Sequence, residues 1–295
     1  MHPPLVLDFD GSVTGLADAR VVSLAHYQES IRFACSVRQL NALAQKLERP
    51  LHENRGTVFL GSGDFHHVSL PLIARAARRR SIEVVVLDNH PDNMRWIGGI
   101  HCGSWVRHVA RLINVTHIHV LGITSADISS TQLWENYFSP LWRDRLTYWS
   151  IGQTFSWMHR LTWRAAFNNF TDANALCAAF ALAQRKAQSS VYLSIDKDVL
   201  TPKLVTCNWD QGCFDEDHVG KILAILAGRI VGSDVTGDLS DYRYEARWKR
   251  WISARDAQPV VDLTSLPQEQ AKHQRLNMTL ALQLGQAMQG TAIKG

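Results

Sequence analysis

Three short segments carry the side chains most able to do chemistry: Gly63-Asp64-Phe65-His66-His67, Asp88-Asn89-His90-Pro91-Asp92 and Ser194-Ile195-Asp196-Lys197-Asp198. Each stands beside a run of apolar β-formers. Residues two apart on an extended segment share a face, so Asp88, His90 and Asp92 are expected to point one way, and so are Asp196 and Asp198. Lys197 then faces away and is assigned no chemistry. Four carboxylates held close would repel and take up protons unless cations neutralised them. A mixed carboxylate and imidazole set suits Mn²⁺, Fe²⁺ or Zn²⁺ better than Ca²⁺, and no cysteine in these motifs points to a thiolate site. One Asp-x-His-x-Asp is also compatible with a polar strand end. Three such segments in one chain point to a dinuclear metal site.

To meet, the segments must follow neighbouring parallel strands, whose carboxyl ends open on a common crevice. The apolar runs supply them: strands are expected at 5–9, 58–61, 84–87, 117–123, 147–151, 191–195 and 229–234. Helices are expected at 37–47, 70–80, 173–188 after a capping Thr171 or Asp172, and 218–227, with a leucine-bearing terminal helix over 263–288. Strand-like and helical runs alternate without a linker or repeat. The expected fold is α/β, a three-layer α-β-α arrangement around a mainly parallel doubly wound sheet, with residues 1–295 as one domain.

With the motifs in view, the chain resembles the ureohydrolases, the group of arginase, agmatinase and formimidoylglutamase. Their signatures are Gly-Gly-Asp-His-Ser, Asp-Ala-His-x-Asp and Ser-x-Asp-x-Asp. The stretch Val68-Ser69-Leu70-Pro71-Leu72-Ile73 fixes the register of the first, making His66 the ligand and His67 the family's serine, with Phe65 where the family has aspartate. Asp88, His90 and Asp92 match the second, and Ser194, Asp196 and Asp198 the third. Leu121-Gly122-Ile123-Thr124-Ser125 is similar to a further family strand.

The resemblance implies an arginase-like scaffold with two divalent ions, Mn²⁺ expected. One lies on His66, Asp88, Asp92 and Asp196, the other on Asp88, His90, Asp196 and Asp198, with Asp88 and Asp196 bridging. It implies hydroxide attack on a guanidinium or amidine carbon, oriented by Asp92 and Asp198, and proton transfer to the leaving amine by His101. The family's guanidinium-binding glutamate falls on Gly237, with Asp238 one residue late. Asp238, Trp209 and Asp210 are the candidate contacts for a cationic substrate.

Other functions have their own residues. Leu5-Val6-Leu7-Asp8-Phe9-Asp10-Gly11-Ser12-Val13 resembles the opening motif of haloacid dehalogenase-like phosphatases, with Asp8 as nucleophile and Asp10 as acid, and Gly232-Ser233-Asp234 as a candidate Mg²⁺ segment. It leaves His66, His90 and Asp92 unexplained. A one-zinc deacetylase needs fewer acidic ligands than are present. A non-catalytic metal-binding protein would accommodate the missing glutamate.

Composition narrows the setting. With 46% hydrophobic and 20% charged residues, the chain can bury a large core. Five cysteines without a close-paired spacing suit a reducing cytoplasm, and the start of the chain lacks secretory and membrane-spanning patterns. A net charge of +4 and the basic run Arg75 to Arg80 lack the aromatic pattern of a nucleic-acid module, so the run reads as a solvated face or an anion contact. The expected partner is a small-molecule substrate, with no nucleic acid or membrane. Ten tryptophans, including Trp134, Trp142, Trp149, Trp157, Trp163, Trp248 and Trp251, suggest core or subunit contacts in a homo-oligomer.

Overall fold

Strands covered on both faces are nearly continuous in Val, Ile and Leu, and the apolar runs here form such strands. The computed structural model describes residues 2–153, 164–255 and 261–290; Trp157 and Trp163 lie outside them. In chain order the strands are β1 Leu5–Asp8, β2 Arg20–Ser23, β3 Ala34–Cys35, β4 Val58–Phe59, β5 Ile82–Leu87, β6 Ile100–His101, β7 Val115–Ile123, β8 Leu146–Ile151, β9 Phe167–Phe170, β10 Ser190–Asp196 and β11 Ile230–Thr236. A nine-stranded sheet has the order β2-β1-β4-β11-β10-β5-β7-β8-β9. Its pairings are parallel throughout. β3 and β6 form a separate antiparallel pair that places Ala34 opposite His101.

The period-two alternation of each strand divides the core into two layers. Leu7, Val84, Val86, Ile118 and Val120 face one side, where the helices Val37–Glu53 and Ser69–Ala77 cover them. Val85, Leu87, Leu121, Leu193 and Ile195 face the other, under the helices Ala173–Gln184, Glu216–Leu226 and Leu266–Met288. The first of these helices runs past the expected end, through Pro50 to Glu53, because Leu51 continues the buried stripe of Leu40, Leu43 and Leu47. Each such leucine contributes roughly 1.5–3 kcal/mol on full burial. The terminal helix docks on the second layer through Leu276, Leu280 and Leu284. Asp172 caps its helix by accepting from the Ala175 amide at 2.9 Å. Among the described residues no helix is long and apolar enough to cross a membrane.

Candidate metal centre

β4, β11, β10, β5 and β7 are consecutive in the sheet. Their carboxyl ends therefore deliver separate stretches of chain to one crevice. His66 lies on the 3₁₀ turn Gly63–Val68 after β4. Asp88, His90 and Asp92 follow β5, Asp196 ends β10, and Asp198 sits in the turn Lys197–Val199. His66 Nδ1 is 3.2 Å from Asp88 Oδ2, 2.9 Å from Asp92 Oδ2 and 3.3 Å from Asp196 Oδ2. His90 Nδ1 is 2.9 Å from Asp198 Oδ2 and 3.5 Å from Asp88 Oδ1. Two groups, His66 with Asp88 and Asp196, and His90 with Asp88 and Asp198, each bring their ligand atoms within 4.8 Å of one another, and Asp88 belongs to both.

The residues after β5 do not converge as an extended strand. The backbone turns instead: the His90 amide donates to Asp88 Oδ1 at 2.6 Å, and Asp92 takes a φ of +47°. The Asp198 amide likewise donates to Asp196 Oδ1 at 3.1 Å. These Asx turns bring the i and i+2 side chains together, Asp88 with His90 and Asp196 with Asp198, where alternation alone would not. Trp105 Nε1 donates to Asp92 Oδ2, fixing that carboxylate from behind.

Hydrogen bonds also settle the orientation of both imidazoles. His66 Nε2 is 3.0 Å from Ser194 Oγ, whose own proton goes to Asp234 Oδ1 at 2.7 Å. His90 Nε2 is 2.7 Å from the acceptor-only carboxylate of Asp210, at Oδ1. Each Nε2 is therefore the donor, and each Nδ1 faces carboxylate oxygens. Two acceptors at such distances are stable only with a proton or another cation between them. Without a metal, protons fill that role: although burial pulls His66 and His90 down, the surrounding carboxylates hold both well above the ordinary histidine value. Burial and the Asp88 charge push Asp92 up to about 7. Burial also pushes Asp196 up to about 6 against the opposing pull of His66. The described ion pairs of these four carboxylates are all with His66 and His90, and buried Asp88 Oδ2 has no hydrogen bond. The donor set thus fits divalent cations.

The groups open into a cavity of about 700 Å³ that His101, Trp209, Asp210 and Asp127 also line. His101 is held by β6; its Nδ1 accepts from the Gly103 amide at 3.0 Å, leaving the ring proton on Nε2. Burial lowers it to about 3, so the ring is neutral near pH 7. Trp209 Nε1 donates to Asp64 Oδ1 at 3.2 Å, and its ring stacks near Phe33.

Three expectations are corrected. Asp238 does not face the cavity: its carboxylate is 2.7 Å from Lys197 Nζ and accepts from Asn277 Nδ2, buried behind the site. Lys197, alternating away from Asp196 and Asp198, is its partner. Asp210 lines the cavity, but its carboxylate is engaged by His90 and Asn89, so it orients a candidate ligand and is not a free counter-ion. The phosphatase motif is structural. Asp10 accepts from Ser12, Ser62 and Ser240 beside Arg32, while Asp8 accepts from the Gly11 amide, and neither lines the cavity. Asp234 is likewise enclosed by Ser69, Tyr192 and Ser194.

Gly237 explains the absent glutamate. Its φ is +92°, and a Cβ there would stand 2.4 Å from Asp196 Oδ1 and 2.7 Å from the Lys197 amide nitrogen. No side chain fits without moving Asp196. The residue missed in the sequence is Asp127, half-buried after β7, whose Oδ2 accepts from Ser125 Oγ at 3.1 Å. A lone aspartate in a polar loop carries no spacing signal. Its position after one of the converging strands was the only available clue.

Residues 8–236 match the Arginase family. A protein of Thermotoga maritima described as uncharacterized is 27% identical over 247 residues, covering 81% of each chain. Among solved structures, the proclavaminate amidino hydrolase of Streptomyces clavuligerus is similar with a TM-score of 0.55 at 15% identity, covering 97% of this chain and 93% of that one. The formimidoylglutamase of Bacillus subtilis has a TM-score of 0.52 at 13% identity, covering 96% and 87%. At these identities the structural likeness is one of fold, the three-layer parallel architecture expected from the strand and helix pattern.

Proposed function

This chain belongs to the arginase family, and from that premise we propose that it is a metal-dependent hydrolase that cleaves a C–N bond of a linear guanidino- or amidino-type small molecule. The observation that supports this most is the pair of imidazoles whose Nδ1 atoms face buried carboxylates with no lysine or arginine paired to them among the described residues. His66, Asp88, Asp92 and Asp196 would hold one divalent ion, and Asp88, His90, Asp196 and Asp198 the other. Mn²⁺ suits the donor set. The ions, when bound, supply Lewis acidity and an acidified water as nucleophile.

The chain's own groups do the rest. Ser194 with Asp234, and Asp210, hold the two imidazoles in the tautomer that offers Nδ1. Asp92 and Asp198 orient the attacking water. Asp127 supplies the negative charge that pairs with the amidinium, in place of the side chain that Gly237 forbids, and Trp209 offers a stacking face. Water adds to the amidine carbon, the C–N bond breaks, and the proton that the water gives up passes to the leaving amine with His101 beside it as the relay. Arg95 and Arg255 line the same cavity and favour a substrate with an anionic group distant from the amidinium.

Elemental analysis of chain reloaded with Mn²⁺ tests the reading. Two ions per chain in the wild type, reduced in His90→Ala, followed by urea or formamide release from guanidino or formimino compounds, is the expected result. A wild type that retains no transition metal overturns it.

A further inference from the structure

A second cavity of about 300 Å³ lies beside the early parts of β10 and β11, away from their carboxyl ends, and Arg55, Arg75, Arg79 and Arg80 line it. The arginines come from two places: Arg55 follows the helix Val37–Glu53, while the others lie at and beyond the end of the helix Ser69–Ala77. Among the described residues no aspartate or glutamate lines the cavity. Glu48 pairs with Arg75 at 3.3 Å and with Arg78 at 2.7 Å. Arg55, Arg79 and Arg80 have no carboxylate partner among the described residues, and Arg55 Nη1 meets only carbonyl oxygens, at 3.5 Å.

A helix carboxyl end favours basic residues, which accounts for the run after Ala77. It does not account for Arg55, brought from another element to the same hollow, nor for Arg75, whose side chain is only 19% exposed. Burial lowers Arg75, and the like charges of Arg79, Arg55 and Arg78 add to that, as expected for guanidinium groups crowded without enough anions. Leu51, Leu72, Ala76 and Tyr192 give the hollow an apolar side. Guanidinium groups bind phosphate oxygens through paired N–H donors, and a neighbouring apolar wall suits an organic group attached to the phosphate.

We propose that this cavity is a binding site for a phosphate monoester of a small organic molecule, separate from the metal centre and independent of the reaction assigned to it. Calorimetric titration of the full chain with phenyl phosphate and with inorganic phosphate tests this, using Mn²⁺-loaded and chelator-treated protein and the double variant Arg55→Ala, Arg79→Ala. Phenyl phosphate is expected to bind with and without metal, more tightly than inorganic phosphate. The double variant, with unchanged metal content, should bind it about tenfold or more less tightly. The proposal is overturned by absence of binding, by binding that the double variant retains, or by binding that disappears with the metal. Equal affinity for the two probes would assign the site to free phosphate and overturn the ester.

Discussion

Two sets of buried carboxylates in this molecule are balanced in opposite ways. Asp10 and Asp64 flank Arg32, with Arg32 Nε 2.7 Å from Asp64 Oδ2 and Nη1 3.5 Å from Asp10 Oδ2, all three side chains 2% exposed. Burial would lower Arg32, but the two carboxylates outweigh it and hold its charge. Asp88, Asp92, Asp196 and Asp198 are as deeply buried, and among the described residues their ion pairs are all with imidazoles. A cluster that contains its own permanent cation is complete as structure. A cluster without one is built to receive cations from outside, and the cost of burying its charges is offset only when they arrive.

The contrast is open to test. Asp88→Ala or Asp196→Ala is expected to take metal content and turnover to background, and in Asp196→Ala the metal-free protein should keep or gain thermal stability, since a carboxyl that burial and Asp88 push up is removed. A fall in metal-free stability would make this cluster structural as well. Arg32→Met should do the reverse, costing about 3–5 kcal/mol in urea unfolding by stranding Asp10 and Asp64, with metal per folded chain unchanged. Asp210→Asn leaves the four carboxylates intact but loosens His90, and metal titration should show affinity reduced about 10–100-fold. Asp127→Asn should raise KM for a cationic substrate by about tenfold or more and leave metal content alone; an unchanged KM would remove Asp127 from substrate recognition.

The smallest expected effect is on pH dependence. In metal-free protein Asp92 stands at about 7 and Asp196 at about 6, above the ordinary 3.8. Raised carboxyl values in the folded state stabilise it at low pH, and this contribution fades as pH climbs from about 4 to about 7. Metal binding needs the carboxylates deprotonated and so strengthens over the same range. The difference in Tm between loaded and metal-free protein should widen with pH, and Asp92→Asn should flatten the metal-free slope.

Much of the fold was legible because the central strands are buried on both faces and their apolar runs are continuous. β2 and β9 escaped that reading for the same physical reason. They are the edges of the sheet, where Arg20–Ser23 is mostly exposed and Phe167–Phe170 carries two asparagines, so the hydrophobic signal fades. The candidate ligands were legible through motif spacing, although the geometry that gathers them is a pair of Asx turns and a positive φ at Asp92, not strand alternation.

The sequence by itself determined the central strands, the helices that cover them and which histidines and aspartates follow those strands, since these depend on local periodicity and on short spacings. Tertiary structure alone decided which carboxylates already have a cation. Arg32 reaches Asp10 and Asp64 from a distant part of the chain, Lys197 takes Asp238 away from the cavity, and Asp127 enters it from after β7. Charge balance in a buried site is set by contacts between residues far apart in sequence, and no local pattern encodes them.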